Sequence, residues 1–165
     1  MFYLSRYKYE KKIASYLRKH KYSLAIAESC TGGLISSRMT DLSGSSEFIF
    51  ANFTTYSNEA KMKYLNVKPE TLENYGAVSE QTATEMVEGL SKNTDCDVAI
   101  ATTGIAGPSG GSTEKPVGTI YIGIKIKDKT IVKRYNLKPY YDRIKMKRRF
   151  AKQAFKLLLG QLQNT

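Results

Sequence analysis

Two short apolar runs constrain this chain more than anything else in it. Ser-Leu-Ala-Ile-Ala at residues 23–27 and a second run at 97–102 are each of strand length and too short for a helix. Neither alternates with polar residues, so each reads as a strand buried on both faces, which requires helices above and below the sheet. Each then runs directly into a small-residue turn. The first is Glu28-Ser29-Cys30-Thr31-Gly32-Gly33, and the second is Thr103-Gly104-Ile105-Ala106-Gly107-Pro108.

The remaining segments fill in the layers. Residues 6–19 read as an amphipathic helix, with Tyr9, Ile13, Tyr16 and Leu17 at helical spacing. Residues 34–41 resume as helix after the first turn, and 48–56, rich in aromatic and β-branched residues, read as a strand. Ser57 and Asn58 offer caps for a helix to residue 65, Pro69 opens a short helix, and Ser79 caps a longer one to about residue 90. Residues 119–126 alternate, with Ile120, Ile122, Ile124 and Ile126 on one face. Lys127-Asp128-Lys129 then turns into a partner strand at 130–135, and residues 144–159 close the chain as a helix. Strands interleaved with helices and followed by a late hairpin predict a three-layer α/β/α domain on a mixed sheet. Its expected extent is a single domain over 1–165.

Several function classes are excluded or made less economical. The charged, tyrosine-rich residues 1–21 contain no apolar stretch of signal-peptide length, and no membrane partner is expected. The two cysteines, Cys30 and Cys96, are far apart and lack zinc-site spacing, which suits a reducing, cytoplasmic setting. His20 is the only histidine and lies in a charged stretch, so a Ser-His-Asp triad or a histidine metal site has little to build on. Neither a metal nor a cofactor is expected. The formal net charge of +11 suits either a phosphate-bearing ligand or a solubilising surface. Nucleic acid is not expected as a partner, because no recognition motif accompanies the charge.

The two strand-to-turn junctions are the candidate site, since ligands in open α/β sheets collect beyond the carboxyl ends of the strands. Thr31-Gly32-Gly33 opens a helix whose free amides can receive an anion such as phosphate. Gly104, Gly107, Gly110 and Gly111 let the backbone approach a ligand closely. Ordinary turns needing positive φ are the competing reading. On loop geometry alone Ser29 is the first choice of nucleophile, beside amides able to hold developing negative charge. Cys30 has no histidine to activate it and reads as a small apolar residue.

Five blocks carry a resemblance: Ala27-Glu28-Ser29-Cys30-Thr31-Gly32-Gly33, Tyr56-Ser57-Asn58-Glu59-Ala60-Lys61, Gly76-Ala77-Val78-Ser79, Thr103-Gly104-Ile105-Ala106-Gly107-Pro108 and Glu114-Lys115-Pro116-Val117-Gly118-Thr119. In content and order the chain resembles the CinA C-terminal domain family. That family includes nicotinamide mononucleotide deamidases, which release nicotinic acid mononucleotide and ammonia in pyridine-nucleotide salvage. Many relatives carry a further N-terminal domain resembling a molybdopterin-binding fold, and this chain is expected to be the amidase-like domain alone.

The resemblance implies a serine nucleophile at Ser46, in Gly44-Ser45-Ser46, and a lysine base at Lys61. Ser29, Tyr56 and Thr103 fall on its supporting polar positions, and Arg143 on an arginine near the ligand phosphate. Thr31, Gly32, Gly33, Gly104 and Gly107 would then cradle ligand and oxyanion. The chain itself favours Lys61 as a base, since the positive end of a helix dipole disfavours a second positive charge; a solvated helix lysine is the alternative. Ser29 against Ser46 as nucleophile stays open on the residues. Lys147 stands where relatives commonly have a second arginine, and Tyr141 replaces a usual glycine, which bears on phosphate binding. The basic run Lys145, Lys147, Arg148, Arg149, Lys152 and Lys156 reads as the wet face of the last helix. The small-molecule partner implied is a phosphorylated nucleotide, and relatives commonly pair, which allows a homodimer. A non-enzymatic binding module for nucleic acid or protein, or an amidase on another phosphorylated amide, is the competing function.

Overall fold

A computed structural model describes residues 7–140 and 142–165. Five strands form one sheet in the order β2-β1-β3-β4-β5: β1 is Leu24–Glu28, β2 Ile49–Thr54, β3 Val98–Gly104, β4 Thr119–Ile126 and β5 Lys129–Asn136. β2, β1 and β3 run parallel, while β4 and β5 are antiparallel additions, so the sheet is mixed. Among the described residues the α-helices are α1 (Lys8–His20), α2 (Leu34–Thr40), α3 (Asn58–Leu65), α4 (Pro69–Tyr75), α5 (Glu80–Thr94) and α6 (Arg143–Gln163). The three-layer α/β/α reading holds.

Strand alternation divides the core in two. Leu24 and Ile26 of β1, Ile100 of β3 and the four isoleucines of β4 pack under α1, α2 and α6. Ala25, Ala27, Ala99 and Ala101 face the other way, and their small side chains let α5 and the end of α3 lie close to the sheet. β1 is buried over all five residues, as its apolar run requires.

Element boundaries moved where polar residues hide the pattern. α5 continues to Thr94, four residues past the apolar stripe, and ends at Asp95 in the left-handed region. α6 continues to Gln163 because Leu162 is still buried. Arg6, where the first helix was expected to begin, and Tyr141 lie outside the described residues. Among the described residues no helix is long and apolar enough to cross a membrane.

Candidate active site

The parallel strands β1, β2 and β3 all end at the same edge of the sheet, and a cavity of about 280 Å³ opens there. Ser29 is set by the strands themselves: its amide donates to the Thr102 carbonyl of β3, and the Thr55 amide donates to the Glu28 carbonyl. Lys61 reaches the same place from α3. Ser57 caps that helix by accepting from the Ala60 amide at 3.1 Å, which fixes how α3 leaves β2. The side chain then folds back over the helix start, in the direction helical side chains prefer.

Lys61 is only 1% exposed, one of the largest side chains so completely buried among the described residues. Its Nζ lies 3.2 Å from Ser29 Oγ, 3.0 Å from the Thr55 carbonyl oxygen, 3.1 Å from that of Tyr56 and 3.5 Å from that of Ser57. Burial pushes its pKa below the ordinary lysine value, with the neighbouring Cys30 sulfur and Glu59 carboxylate opposing more weakly. A neutral amine has two hydrogens and one lone pair. Protonated, the amine donates to Ser29 Oγ and to these carbonyls; neutral, it keeps two hydrogens for the nearer carbonyls of Thr55 and Tyr56 and has a lone pair free to accept the Ser29 hydroxyl proton.

Ser46 is not brought to Lys61. It sits in the turn Ser45–Glu47 ahead of β2, whose first residue, Ile49, pairs with Leu24 at the start of β1. Ser29 follows the last residue of β1, Glu28, which pairs with Thr54 at the end of β2. The two serines therefore lie at opposite ends of a five-residue strand, separated by roughly 16 Å at about 3.3 Å per residue. The expectation of Ser46 beside the lysine is corrected: parallel pairing puts the start of β2 and the end of β1 at opposite edges.

The anion cradle at Thr31-Gly32-Gly33 is corrected as well. Glu28 is fully buried, and its carboxylate accepts from the Ile35 amide at 3.0 Å, the Ser36 amide at 2.8 Å and the Ser36 hydroxyl at 2.7 Å. The start of α2 is thus already complemented by the chain's own carboxylate. Thr31 turns inward to share a hydrogen bond with Thr102 at 2.9 Å, and none of the three residues lines the cavity. Gly32 and Gly33 both have positive φ, so here the ordinary-turn reading prevails. Gly104 does line the cavity, but the close approach it permits is to β4, where an added Cβ would lie 2.6 Å from the Thr119 carbonyl oxygen.

Thr103, Tyr56, Gly107 and Arg143 are all brought to the cavity. The Thr103 hydroxyl donates to the Ala77 carbonyl at 2.7 Å, so it holds the wall formed by Ala77 and Val78, which carried no role in the sequence reading. The resemblance block Gly76-Ala77-Val78-Ser79 was the signal that could have found it. Arg143, at the first turn of α6, donates to the Gly107 carbonyl at 2.7 Å and to the exposed Tyr56 hydroxyl at 2.6 Å. Lys147 lies one turn further on, with Nζ 3.1 Å from where a Cβ on Gly32 would be. Cys30 is buried beside Ser29, and its thiol is pushed up to about 12, first by burial and then by the Glu28 charge, which leaves it unreactive. Among the described residues no three His, Cys, Asp or Glu side chains are grouped to hold a metal.

A larger groove of about 790 Å³ lies elsewhere, against α5 and the β4–β5 turn. Two charge pairs in its lining are already engaged, Glu88 with Lys125 and Asp97 with Lys127. The smaller cavity, with the buried amine and hydroxyl side by side, is the candidate site.

Comparison with known proteins agrees with this architecture. A CinA-like protein of Syntrophomonas wolfei is 56% identical over 110 residues, 67% of this chain and 26% of the relative. A putative competence-damage inducible protein of Alkaliphilus oremlandii is 46% identical over 136 residues, 82% of this chain and 33% of the relative. The chain thus spans about a quarter to a third of these longer relatives. The crystal structure of competence/damage inducible protein CihA from Agrobacterium tumefaciens matches at TM-score 0.90 and 35% identity over 94% of each chain. A CinA superfamily protein from Klebsiella pneumoniae 700603 matches at TM-score 0.91 and 29% identity, over 97% of this chain and 99% of that one. The description of the CinA C-terminal domain fits residues 6–162, nearly the whole sequence, and the chain belongs to that family.

Proposed function

We propose that the chain hydrolyses the carboxamide of nicotinamide mononucleotide to nicotinic acid mononucleotide and ammonia, with Ser29 as nucleophile and Lys61 as base. The observation that carries this reading is the 3.2 Å contact between Lys61 Nζ and Ser29 Oγ, with the lysine buried and its pKa depressed. A serine hydroxyl is a poor nucleophile at its own pKa, and a neutral amine within hydrogen-bond reach is the kind of base that activates it.

The steps balance without an added co-reactant. Ser29 Oγ attacks the carboxamide carbon as its proton passes to Lys61 Nζ. The tetrahedral intermediate collapses as Lys61 returns that proton to the departing nitrogen, and ammonia leaves. Water then attacks the resulting ester while Lys61 again takes a proton. The serine–carbonyl bond breaks, Lys61 gives the proton back to Ser29, and the carboxylic acid is released. Arg143 stands at the mouth of the cavity to take the phosphate, exchanging its bonds to Gly107 and Tyr56 for a bidentate contact. The two free, buried cysteines suit a reducing, cytoplasmic setting for this salvage reaction.

Incubation of the purified chain with nicotinamide mononucleotide, following ammonia release, tests the reading. Mass spectrometry of a quenched reaction should find an acyl adduct on Ser29 with the mass of nicotinic acid mononucleotide less one water. A folded sample that releases no ammonia overturns the function; ammonia released with the adduct on another residue overturns the assignment of the nucleophile.

A further inference from the structure

The net charge is not spread over the surface. Residues 129–165 hold eleven of the 26 lysines and arginines and one of the 15 acidic residues, so this stretch supplies +10 of the formal +11. Residues 55–97, which form α3, α4 and α5, hold eight acidic residues against four basic ones. α1 and α6 pack on one face of the sheet, and α3 and α5 on the other. The chain is therefore electrically polarised across its sheet.

Within α6 the basic residues have a pattern. Lys145, Arg149, Lys152 and Lys156 recur at i, i+4, i+7 and i+11, which places them on one side of the helix, within an arc of about 60°. Lys145, Lys152 and Lys156 are exposed, and Arg149 is half-buried. At about 1.5 Å of rise per residue the stripe is about 16 Å long, enough to face four or five nucleotides at about 3.4 Å each. The same side of the helix continues to Leu159 and Gln163, which with Lys11, Lys12 and Lys19 of α1 line an open groove of about 400 Å³.

Two further observations separate this face from a merely solvated one. A solubilising surface mixes both signs of charge. The 21 residues of α6 contain no acidic residue, and among the described residues only Lys145 of the stripe has a carboxylate within ion-pair distance, Asp142 at 3.8 Å. At the head of the stripe the Arg149 guanidinium lies 5.0 Å from the ring centroid of Tyr140, which is 47% exposed. An exposed ring backed by an arginine is a platform on which a base can stack.

We propose that this face binds single-stranded nucleic acid without sequence preference, through phosphate contacts to Lys145, Arg149, Lys152 and Lys156 and stacking on Tyr140. The absence of a recognition motif in the sequence bears on base readout, not on binding to the phosphate backbone. The surface does not include Ser29, Lys61 or Arg143, so the proposal stands apart from the amidase reading.

Fluorescence anisotropy of a labelled oligothymidylate, titrated with the whole chain, tests it. Four phosphate contacts give a slope of log K against log salt near −3, so binding should weaken about 50-fold between about 50 and 200 mM salt. The variant K152E/K156E should lose at least tenfold in affinity and flatten that slope, with its thermal melt and its turnover of nicotinamide mononucleotide unchanged. Tyr140→Ala should weaken binding and leave the slope as it is. No anisotropy change at the lower salt overturns the proposal, as does equal binding by wild type and K152E/K156E. Binding to phosphatidylserine vesicles without binding to the oligonucleotide also overturns it.

Discussion

Ser29→Ala removes the hydroxyl beside the Lys61 amine and leaves the backbone bonds that shape the turn untouched. In serine hydrolases the nucleophile and its base act as a unit, and loss of the nucleophile costs about 10⁴- to 10⁶-fold in kcat, or about 5 to 8 kcal/mol of transition-state stabilisation. The structural cost is far smaller, about 0.5–1.5 kcal/mol for one hydrogen bond. Adding Lys61→Ala to Ser29→Ala should therefore cost little more activity than either change alone. Ser46→Ala provides the internal comparison. Ser46 is exposed and lies a full strand length, roughly 16 Å, from the amine, so kcat should stay within about threefold and stability within about 0.5 kcal/mol. Single-turnover ammonia release from nicotinamide mononucleotide reads both variants on one scale. Equal losses in Ser46→Ala and Ser29→Ala, or more than about a tenth of wild-type activity in Ser29→Ala, would refute the reasoning.

Lys61 makes two predictions about pH. Its pKa is lowered on folding, so between the folded value and the ordinary lysine value the native state binds fewer protons than the unfolded chain. Unfolding free energy should therefore rise with pH across that window, the cost of burial being fully present below the folded pKa. In Lys61→Met that rise should disappear from a series of denaturant melts, and a slope equal to wild type would exclude Lys61 as its source. In the active chain, kcat/KM should climb with pH through one ionisation below the ordinary lysine range; a flat profile would mean that the base is not a lysine. Arg143→Lys keeps the charge but loses the fork, and should raise KM for nicotinamide mononucleotide by about 10- to 100-fold with kcat within about threefold. A fall in kcat with KM unchanged would count against a phosphate role. Glu28→Ala strands the Ile35 and Ser36 donors and should cost about 3–5 kcal/mol in urea unfolding; a loss under about 1 kcal/mol would show that water replaces the carboxylate.

Much of the fold was legible because periodicity reports burial directly. The β4 isoleucines alternate and are all buried under α6, and the uninterrupted apolar run of β1 is buried on both faces, as parallel central strands are. Ser57 and Ser79 marked helix starts correctly, since a cap is a local interaction between near neighbours. Helix ends were less legible. Past Leu90, α5 is polar, and only tertiary packing and the left-handed Asp95 decide where it stops. The candidate site divides the same way. Lys61, Tyr56, Thr103, Gly107 and Arg143 were all picked out and do meet, but what each does there depends on partners distant in sequence.

The turn after β1 and the lysine of α3 could be named from the sequence by itself, because small-residue turns after buried strands and capped helices leave local signatures. Only the tertiary structure decided which serine lies beside the lysine. Parallel pairing of β1 with β2 carries Ser29 to the same edge as Lys61 and leaves Ser46 at the other. It also decided that Glu28, one residue before the serine, turns back to satisfy the start of α2 and closes the anion site that the bare turn advertises. Both outcomes rest on direction, of a strand in the sheet and of a side chain from its strand, and direction is fixed only when the pieces pack together.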